Sequence, residues 1–130
     1  MSEHVMHEFS TAVGIVNAVK RAAGSHKATR VIAIRLQIGP LSMLNHEQLL
    51  FGIEIASKGT ILEGAEVSIE TLTIKTTCKN CGTETVIREE KPVYDLLVTL
   101  VCPECGSKNV EIIQGRECII KDIKAVIDSD

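Results

Sequence analysis

Two Cys-x-x-Cys pairs constrain this chain more than anything else in it. Cys78-Lys79-Asn80-Cys81-Gly82 is followed, twenty residues on, by Cys102-Pro103-Glu104-Cys105-Gly106. Two residues between thiols let one tight turn aim both sulfurs at a single ion, about 2.3 Å away for zinc. The glycine directly after each pair stands where such a turn needs a residue tolerant of positive φ, and Pro103 stiffens the second turn. Two disulfides or four buried thiols are the plainer reading of four cysteines, but paired spacing with paired glycines favours a four-thiolate metal site. Four thiolates in a tetrahedron leave no open coordination position, so the ion is expected to be structural and not catalytic.

The rest of the chain has to supply a core without rings. Hydrophobic residues make up 45% of the 130, yet aromatics are only 2% (Phe9, Phe51 and Tyr94), so the interior must be aliphatic. The length suits one ordinary domain with a small appended module. A net charge of −3 gives no electrostatic footprint for nucleic acid, and scarce aromatics argue against base stacking on single strands. No 18-residue apolar run is present, and no basic segment leads into an apolar one, so neither membrane spanning nor secretion is expected. Cys118 stands outside the two pairs and reads as a small buried hydrophobe. An odd, metal-spaced set of five cysteines fits a reducing compartment, hence the cytoplasm.

Apolar residues at Phe9, Ala12, Val13, Val16, Val19 and Ala23 recur at helical intervals and predict a helix over about 8–23, preceded by a polar stretch from Met1 to Val5. From Arg30 to Gly39 the pattern alternates. Ile32, Ile34, Leu36 and Ile38 take one face, opposite Val31, Ala33, Arg35 and Gln37, which predicts a half-buried strand ended by Gly39-Pro40. Asn45 with Gln48 reads as a capping box, with Leu44 and Leu49 as its hydrophobic staple. The helix that follows carries Leu49, Leu50, Ile53 and Ala56 inward and ends at Gly59. A second strand is expected over 65–76, with a bulge near Thr71 where the apolar parity changes, and a third over 110–126, interrupted by Gly115.

The predicted class is therefore α+β. Two helices pack on a small sheet of about three strands, and a zinc-ribbon-like module is inserted between the last two strands. The base takes residues 1–77 and 107–130, and the module residues 78–106. A loop of about thirty residues is unusual inside a compact domain unless something organises it. Burial cannot do so at that size, so metal binding is expected to fold the module, and structural zinc contributes about 10–16 kcal/mol in that role.

No nucleophile sits with a base and an orienting acid in a recognisable catalytic spacing, and no glycine-rich phosphate loop is present, so nothing here reads as an enzyme site. His26 in a polar loop and His46 in a first helical turn read as solvated. The remaining features form an ordered series. Met6-His7-Glu8-Phe9-Ser10 opens it, Gly39-Pro40-Leu41 follows the first strand, and Glu63-Gly64-Ala65 precedes the second. Both Cys-x-x-Cys-Gly pairs come next, and then Gly115-Arg116-Glu117. From Met6 to about Val126 this succession closely resembles the HypA/HybF family of hydrogenase nickel-incorporation proteins.

The resemblance implies a nickel metallochaperone for [NiFe]-hydrogenase maturation. Ni(2+) is its transferred cargo, bound near the start of the chain by His7 with Met6 and Glu8 beside it. Zn(2+) is held structurally by Cys78, Cys81, Cys102 and Cys105. The implied partners are the GTPase HypB and the hydrogenase large subunit, a homodimer being left open. Imidazole with deprotonated amide nitrogens suits Ni(II), and four thiolates suit zinc.

Two departures from the family pattern matter. Met6 is not residue 1, so the terminal amine that completes such a nickel site is displaced by five residues. If Met1 is removed, Ser2-Glu3-His4 offers an amine, two amides and an imidazole, a four-nitrogen set in which His4 competes with His7. The plainer reading leaves His4 as an accident of an over-long start. In addition, no histidine flanks either cysteine pair, so the zinc site is expected to stay at four sulfurs near neutral pH. Two rival readings use the same cysteines. A rubredoxin-like electron carrier holds one iron on four thiolates, and a zinc-ribbon interaction module holds zinc on them and binds a partner such as nucleic acid. The large aliphatic base disfavours the first, and the acidic balance disfavours a nucleic-acid role for the second.

Overall fold

The structure, a computed structural model, describes residues 3–87 and 100–127, with side chains described from residue 7 onward. Its elements are α1 (Glu3–Ser25), β1 (Ala28–Ile38), a 3-10 turn (Pro40–Ser42), α2 (His46–Ser57), β2 (Glu66–Thr71), β3 (Ile74–Cys78), β4 (Glu84–Ile87), β5 (Val110–Gln114) and β6 (Cys118–Ile127). They divide into two compact units. The first comprises Met1–Leu36, Leu44–Glu70 and Ile119–Asp130, and the second Gln37–Met43 and Thr71–Cys118. The expected α+β class, with its inserted four-cysteine module, is what the structure shows. Among the described residues there are, however, two three-stranded sheets, ordered β2-β1-β6 and β4-β3-β5. Among the described residues, no helix is long and apolar enough to cross a membrane.

In the first unit, α1 begins five residues earlier than the apolar periodicity predicts, so Met6-His7-Glu8 lies inside the helix and not ahead of it. Nothing from Glu3 to Met6 is a glycine or proline, and an acidic Glu3 suits the positive end of the helix dipole. Ala12, Ile15, Val16, Val19 and Ala23 form the buried stripe, whereas Phe9 is 42% exposed. The reason lies in α2. A Cβ placed on Gly52 would come within 2.9 Å of the Ala12 Cβ, so the helices meet through their smallest residues and Phe9 is left at the rim.

α2 starts as its sequence demands. Asn45 has an extended backbone (φ −79°, ψ 120°), and its side chain accepts the Gln48 N–H at 3.0 Å. The reciprocal half of the cap is different. The Asn45 N–H donates to Glu8 Oε1, also at 3.0 Å, so a carboxylate from α1 does what Gln48 was expected to do. Glu8 is fully buried there. Gly59, at φ +77°, ends the helix at the expected place.

β1 buries Ile34, Leu36 and Ile38 as predicted, but Val31 is fully buried and Ile32 is 38% exposed. Parity shifts between them where the Val31 N–H donates to Ile61 O at 2.8 Å, in the segment after α2. β6 runs antiparallel to β1. Thr29 Oγ1 donates to Val126 O at 3.4 Å, and further along Arg35 Nε donates to the two Asp122 carboxylate oxygens at 2.8 and 3.0 Å.

In the second unit both long predicted strands are broken. The bulge expected near Thr71 is a complete interruption at Leu72-Thr73, where the Leu72 N–H turns to Ile38 O at 2.9 Å. The predicted third strand is likewise split, at Gly115 to Glu117, into β5 and β6. Cys118, which follows that break, is exposed and not the buried hydrophobe its sequence context suggests, although partial burial of its sulfur pushes the thiol pKa up. β3 pairs antiparallel with β4 (Thr76 opposite Thr85) and with β5 (Cys78 opposite Val110).

Gly39-Pro40-Leu41 and Gly115-Arg116-Glu117, far apart in sequence, meet in this unit. The Gly39 N–H donates to Glu117 O at 2.8 Å, and the Leu41 N–H donates to Gly115 O at 2.7 Å. Glu117 folds back so that its Oε1 accepts the Gly115 N–H at 2.6 Å. The two backbones are so close that a Cβ on Gly39 would lie 2.0 Å from Gly115 O.

Two outcomes follow from this clasp. Gly39→Ala is expected to lower unfolding free energy by on the order of 3 kcal/mol or more, read by denaturant titration, because the obstacle is backbone and cannot rotate away. The Gly115 N–H, with the Arg116 and Glu117 amides and the Arg116 charge, holds the Glu117 carboxyl below its ordinary range against a smaller opposing effect of burial. A depressed carboxylate stabilises above its unfolded value of about 4.3, and that contribution is lost as pH falls through the lower folded value. Glu117→Gln should therefore be less stable than the parent at neutral pH, with the two unfolding midpoints converging in acid.

Candidate metal centre

The two Cys-x-x-Cys segments form matching turns. Gly82 N–H donates to Cys78 O at 2.8 Å, and Gly106 N–H donates to Cys102 O at 2.9 Å. One residue further on, Thr83 O accepts the Cys78 N–H at 2.9 Å, and Ser107 O accepts the Cys102 N–H at 2.9 Å. Gly82 (φ +78°) and Gly106 (φ +72°) take the left-handed conformation that closes each turn. Each turn therefore repeats the pattern Cys-x-x-Cys-Gly followed by a hydroxyl residue. That sixth position was visible in the sequence and was overlooked there.

β3 delivers Cys78, and the Lys79 N–H donates to Asn109 O at 3.0 Å, tying the first turn to the start of β5. The four sulfurs converge. Cys78 Sγ lies 3.6 Å from Cys105 Sγ, Cys81 Sγ lies 3.6 Å from Cys102 Sγ, and all four fall within 4.8 Å of one another. A disulfide would bring sulfurs to about 2.05 Å, whereas four sulfurs at about 2.3 Å from a central ion sit about 3.8 Å apart. The observed spacing fits the ion and not the bond, and all five cysteines are free thiols. Cys78 and Cys102 are buried while Cys81 and Cys105 face outward. The site is thus a half-shielded, four-sulfur metal-binding site.

The surrounding hydrogen bonds favour thiolate on one side. Thr83, through its side chain and then its backbone, lowers the Cys81 thiol to about 6. The Ser107 amide pulls Cys105 down, but the neighbouring Cys78 sulfur, burial and Cys81 together push it up to about 11. Backbone N–H groups, that of Cys81 foremost, hold Cys78 below its ordinary value. One low and one high value are what thiols sharing hydrogen bonds give, since the Cys78–Cys105 contact that lowers Cys78 raises Cys105. Asn80 Nδ2 lies 3.9 Å from Cys105 Sγ and reaches it from the opposite turn.

The residues implied for nickel are placed otherwise. His7 is exposed on α1, and its carbonyl accepts the Ser10 and Thr11 hydroxyls at 3.0 and 2.9 Å. Glu8, one residue on, points inward to cap α2. Glu3, His4 and Met6 are helical in backbone, with side chains outside the described set, and Ser2 lies outside the described residues altogether.

Residues 6–125 match the family described as HypA, hydrogenase/urease nickel incorporation, metallochaperone. Relatives named hydrogenase maturation factor HypA include one from Methanothermobacter thermautotrophicus, 38% identical over 92% of this chain and 96% of its own length. Another, from Methanococcus aeolicus, is 39% identical over 96% of this chain and 99% of its own. The fold matches the solution structure of the Ni metallochaperone HypA from Helicobacter pylori with a TM-score of 0.66 at 21% identity, covering 93% of this chain and 98% of that one. A matched span of this extent, carrying both cysteine pairs and the Met6-His7-Glu8 run, places the chain in the HypA family of hydrogenase nickel-incorporation metallochaperones.

Proposed function

We propose that this chain carries Ni(II) at its amino-terminal end and surrenders it in the maturation of [NiFe]-hydrogenase, while zinc on Cys78, Cys81, Cys102 and Cys105 keeps the second unit folded. The observation that carries the division of labour is the convergence of four sulfurs within 4.8 Å. A complete four-thiolate shell leaves no position for a receiving ligand, so it suits a resident ion, and the cargo needs a different, more open donor set. Zinc bound there supplies a cross-link between the two turns. The chain's own residues orient it through the paired backbone hydrogen bonds and the Thr83 contact. The donors for nickel are His7 with Met6 and Glu8 beside it, and the alternative set is Ser2, Glu3 and His4. The receiving partners are the GTPase HypB and the hydrogenase large subunit. The reading is of a carrier and not a catalyst, acting in the cytoplasm.

The helical start of α1 sets a condition on any amide-ligated nickel site. In a helix the N–H groups run parallel along the axis and cannot converge on one ion, and those beyond the first four are already hydrogen-bonded. Nickel held through amide nitrogens therefore requires the first turns of α1 to unwind. Glu8 complicates mutagenesis, since it caps α2, and a Glu8 variant confounds nickel loss with unfolding. His7, being exposed, is the cleaner probe.

Nickel titration of the chain with its natural first residue is expected to show binding that His7→Ala weakens by about 100-fold or more, with His4→Ala leaving affinity and spectrum unchanged. The reverse pattern assigns the site to Ser2-Glu3-His4, and indifference to Ni(II) sinks the carrier assignment. Binding weakens as pH falls, because imidazole and amides must give up protons to the metal. The isolated protein should contain zinc and be colourless, a red chain indicating iron. X-ray absorption is expected to report four sulfur neighbours and no nitrogen from mildly acidic to neutral pH. Cys102→Ser, at a buried ligand, should lose the zinc and with it amide-exchange protection across β3, β4 and β5.

A further inference from the structure

The two turns of the four-sulfur site match in backbone but not in side chain. Aligned on their cysteines, Cys78-Lys79-Asn80-Cys81-Gly82-Thr83 and Cys102-Pro103-Glu104-Cys105-Gly106-Ser107 pair Asn80 with Glu104 and Thr83 with Ser107. Thr83 Oγ1 lies 3.2 Å from Cys81 Sγ. Ser107 Oγ instead accepts the Asn109 N–H at 3.0 Å. Cys105 takes its side-chain partner from the other turn, Asn80 Nδ2 at 3.9 Å. Glu104 holds the matching place in its own turn, and an ionised carboxylate accepts but does not donate. The sulfurs served in this way are Cys81 and Cys105, the two that face outward. Buried Cys78 receives a backbone N–H, that of Cys81, at 3.4 Å.

We propose that Asn80 and Thr83 are positioning residues of the metal site, each donating a hydrogen bond to an outward thiolate, and that together they set how firmly the site keeps its zinc. The proposal rests on the reading of these four sulfurs as a zinc site. A thiolate ligand has lone pairs and no hydrogen to give, so beside it the Thr83 hydroxyl, which rotates freely, becomes the donor to Cys81. The Asn80 amide donates to Cys105, and because it crosses from the first turn it also ties the second turn to it. Four thiolates on a divalent cation leave two excess negative charges, which the positive ends of an O–H and an N–H offset. The two cover different sulfurs by different routes, one within a turn and one across. Partners of this kind fix the direction of a ligand and tune the ion it holds. They matter most at Cys81 and Cys105, where the fold does not shut out water or a competing ligand.

The zinc-loaded full chain, titrated against a chelator of known affinity, tests this. Thr83→Val and Asn80→Leu keep the shape and remove the donor, and each should weaken zinc binding about tenfold or more. Thr83→Ser keeps the hydroxyl and should restore the parental affinity. Cobalt(II) in place of zinc reads the sulfurs directly. A thiolate that loses its donor is more electron-rich, so sulfur-to-cobalt charge-transfer absorption should move to longer wavelength in Thr83→Val and Asn80→Leu and return in Thr83→Ser. Amide exchange across β3, β4 and β5 at saturating zinc should match the parent in all three. Asn80 is exposed, so Asn80→Leu decides the matter if the half-buried Thr83→Val fails to fold. A parent chain that binds no zinc removes the zinc reading and the proposal together. Variants with parental zinc affinity and unshifted cobalt bands overturn the proposal alone, as does weaker binding accompanied by lost exchange protection at saturating zinc.

Discussion

Among the described residues, the second unit has little to fold around except sulfur. Its fully buried apolar residues, among those described, are Ile38 and Ile74 together with Cys78 and Cys102, whereas the first unit buries eleven aliphatic side chains from Ala12 to Leu62. The two isoleucines described there bury little area against the entropy of ordering three strands and two turns. An ion drawing the four sulfurs together, as proposed above, would add free energy at the points where β3 ends and β5 is about to begin. The matching hydrogen bonds shape each half of the site within its own turn, and a bound metal would join the two halves.

The first unit depends on a different kind of closure. Ala12 against Gly52 brings the helices near enough for one carboxylate, Glu8, to reach the first free amide of α2. That contact gives the Met6-His7-Glu8 run two faces. His7 looks outward, where an ion could be met, and Glu8 looks inward, where it holds the helix pair together.

Where sequence reasoning worked, the signal was local. Paired cysteines with trailing glycines, the Asn45 cap and the Gly59 stop each specify their own few residues, and each is present. Where it failed, a distant backbone decided. A parity change near Thr71 and an interrupting Gly115 announce that the later strands are irregular, but only the hydrogen bond of Leu72 to Ile38 turns the first irregularity into a change of sheet. Val31 and Ile32 exchanged roles for a similar reason, since the donor that fixes Val31 finds its acceptor at Ile61. Phe9 was assigned inward by hydrophobicity, and a glycine forty-three residues later put it at the rim. Gly39 and Gly115 looked like ordinary strand punctuation, and nothing within either segment reveals that they touch. For the candidate site, the sulfurs were fully legible. The placement of His7 on the exposed face of a helix and Glu8 on its buried face was not, because the helix begins before the apolar pattern does.

The aliphatic interior has an optical corollary. With no tryptophan and a single tyrosine, Tyr94, the polypeptide is nearly transparent in the near ultraviolet. The absorption of any open-shell ion gathered at the leading helix would therefore stand against an almost dark background, to which d10 zinc on the cysteine cluster would add nothing. Light alone could follow such a cargo through this molecule with no reporter attached.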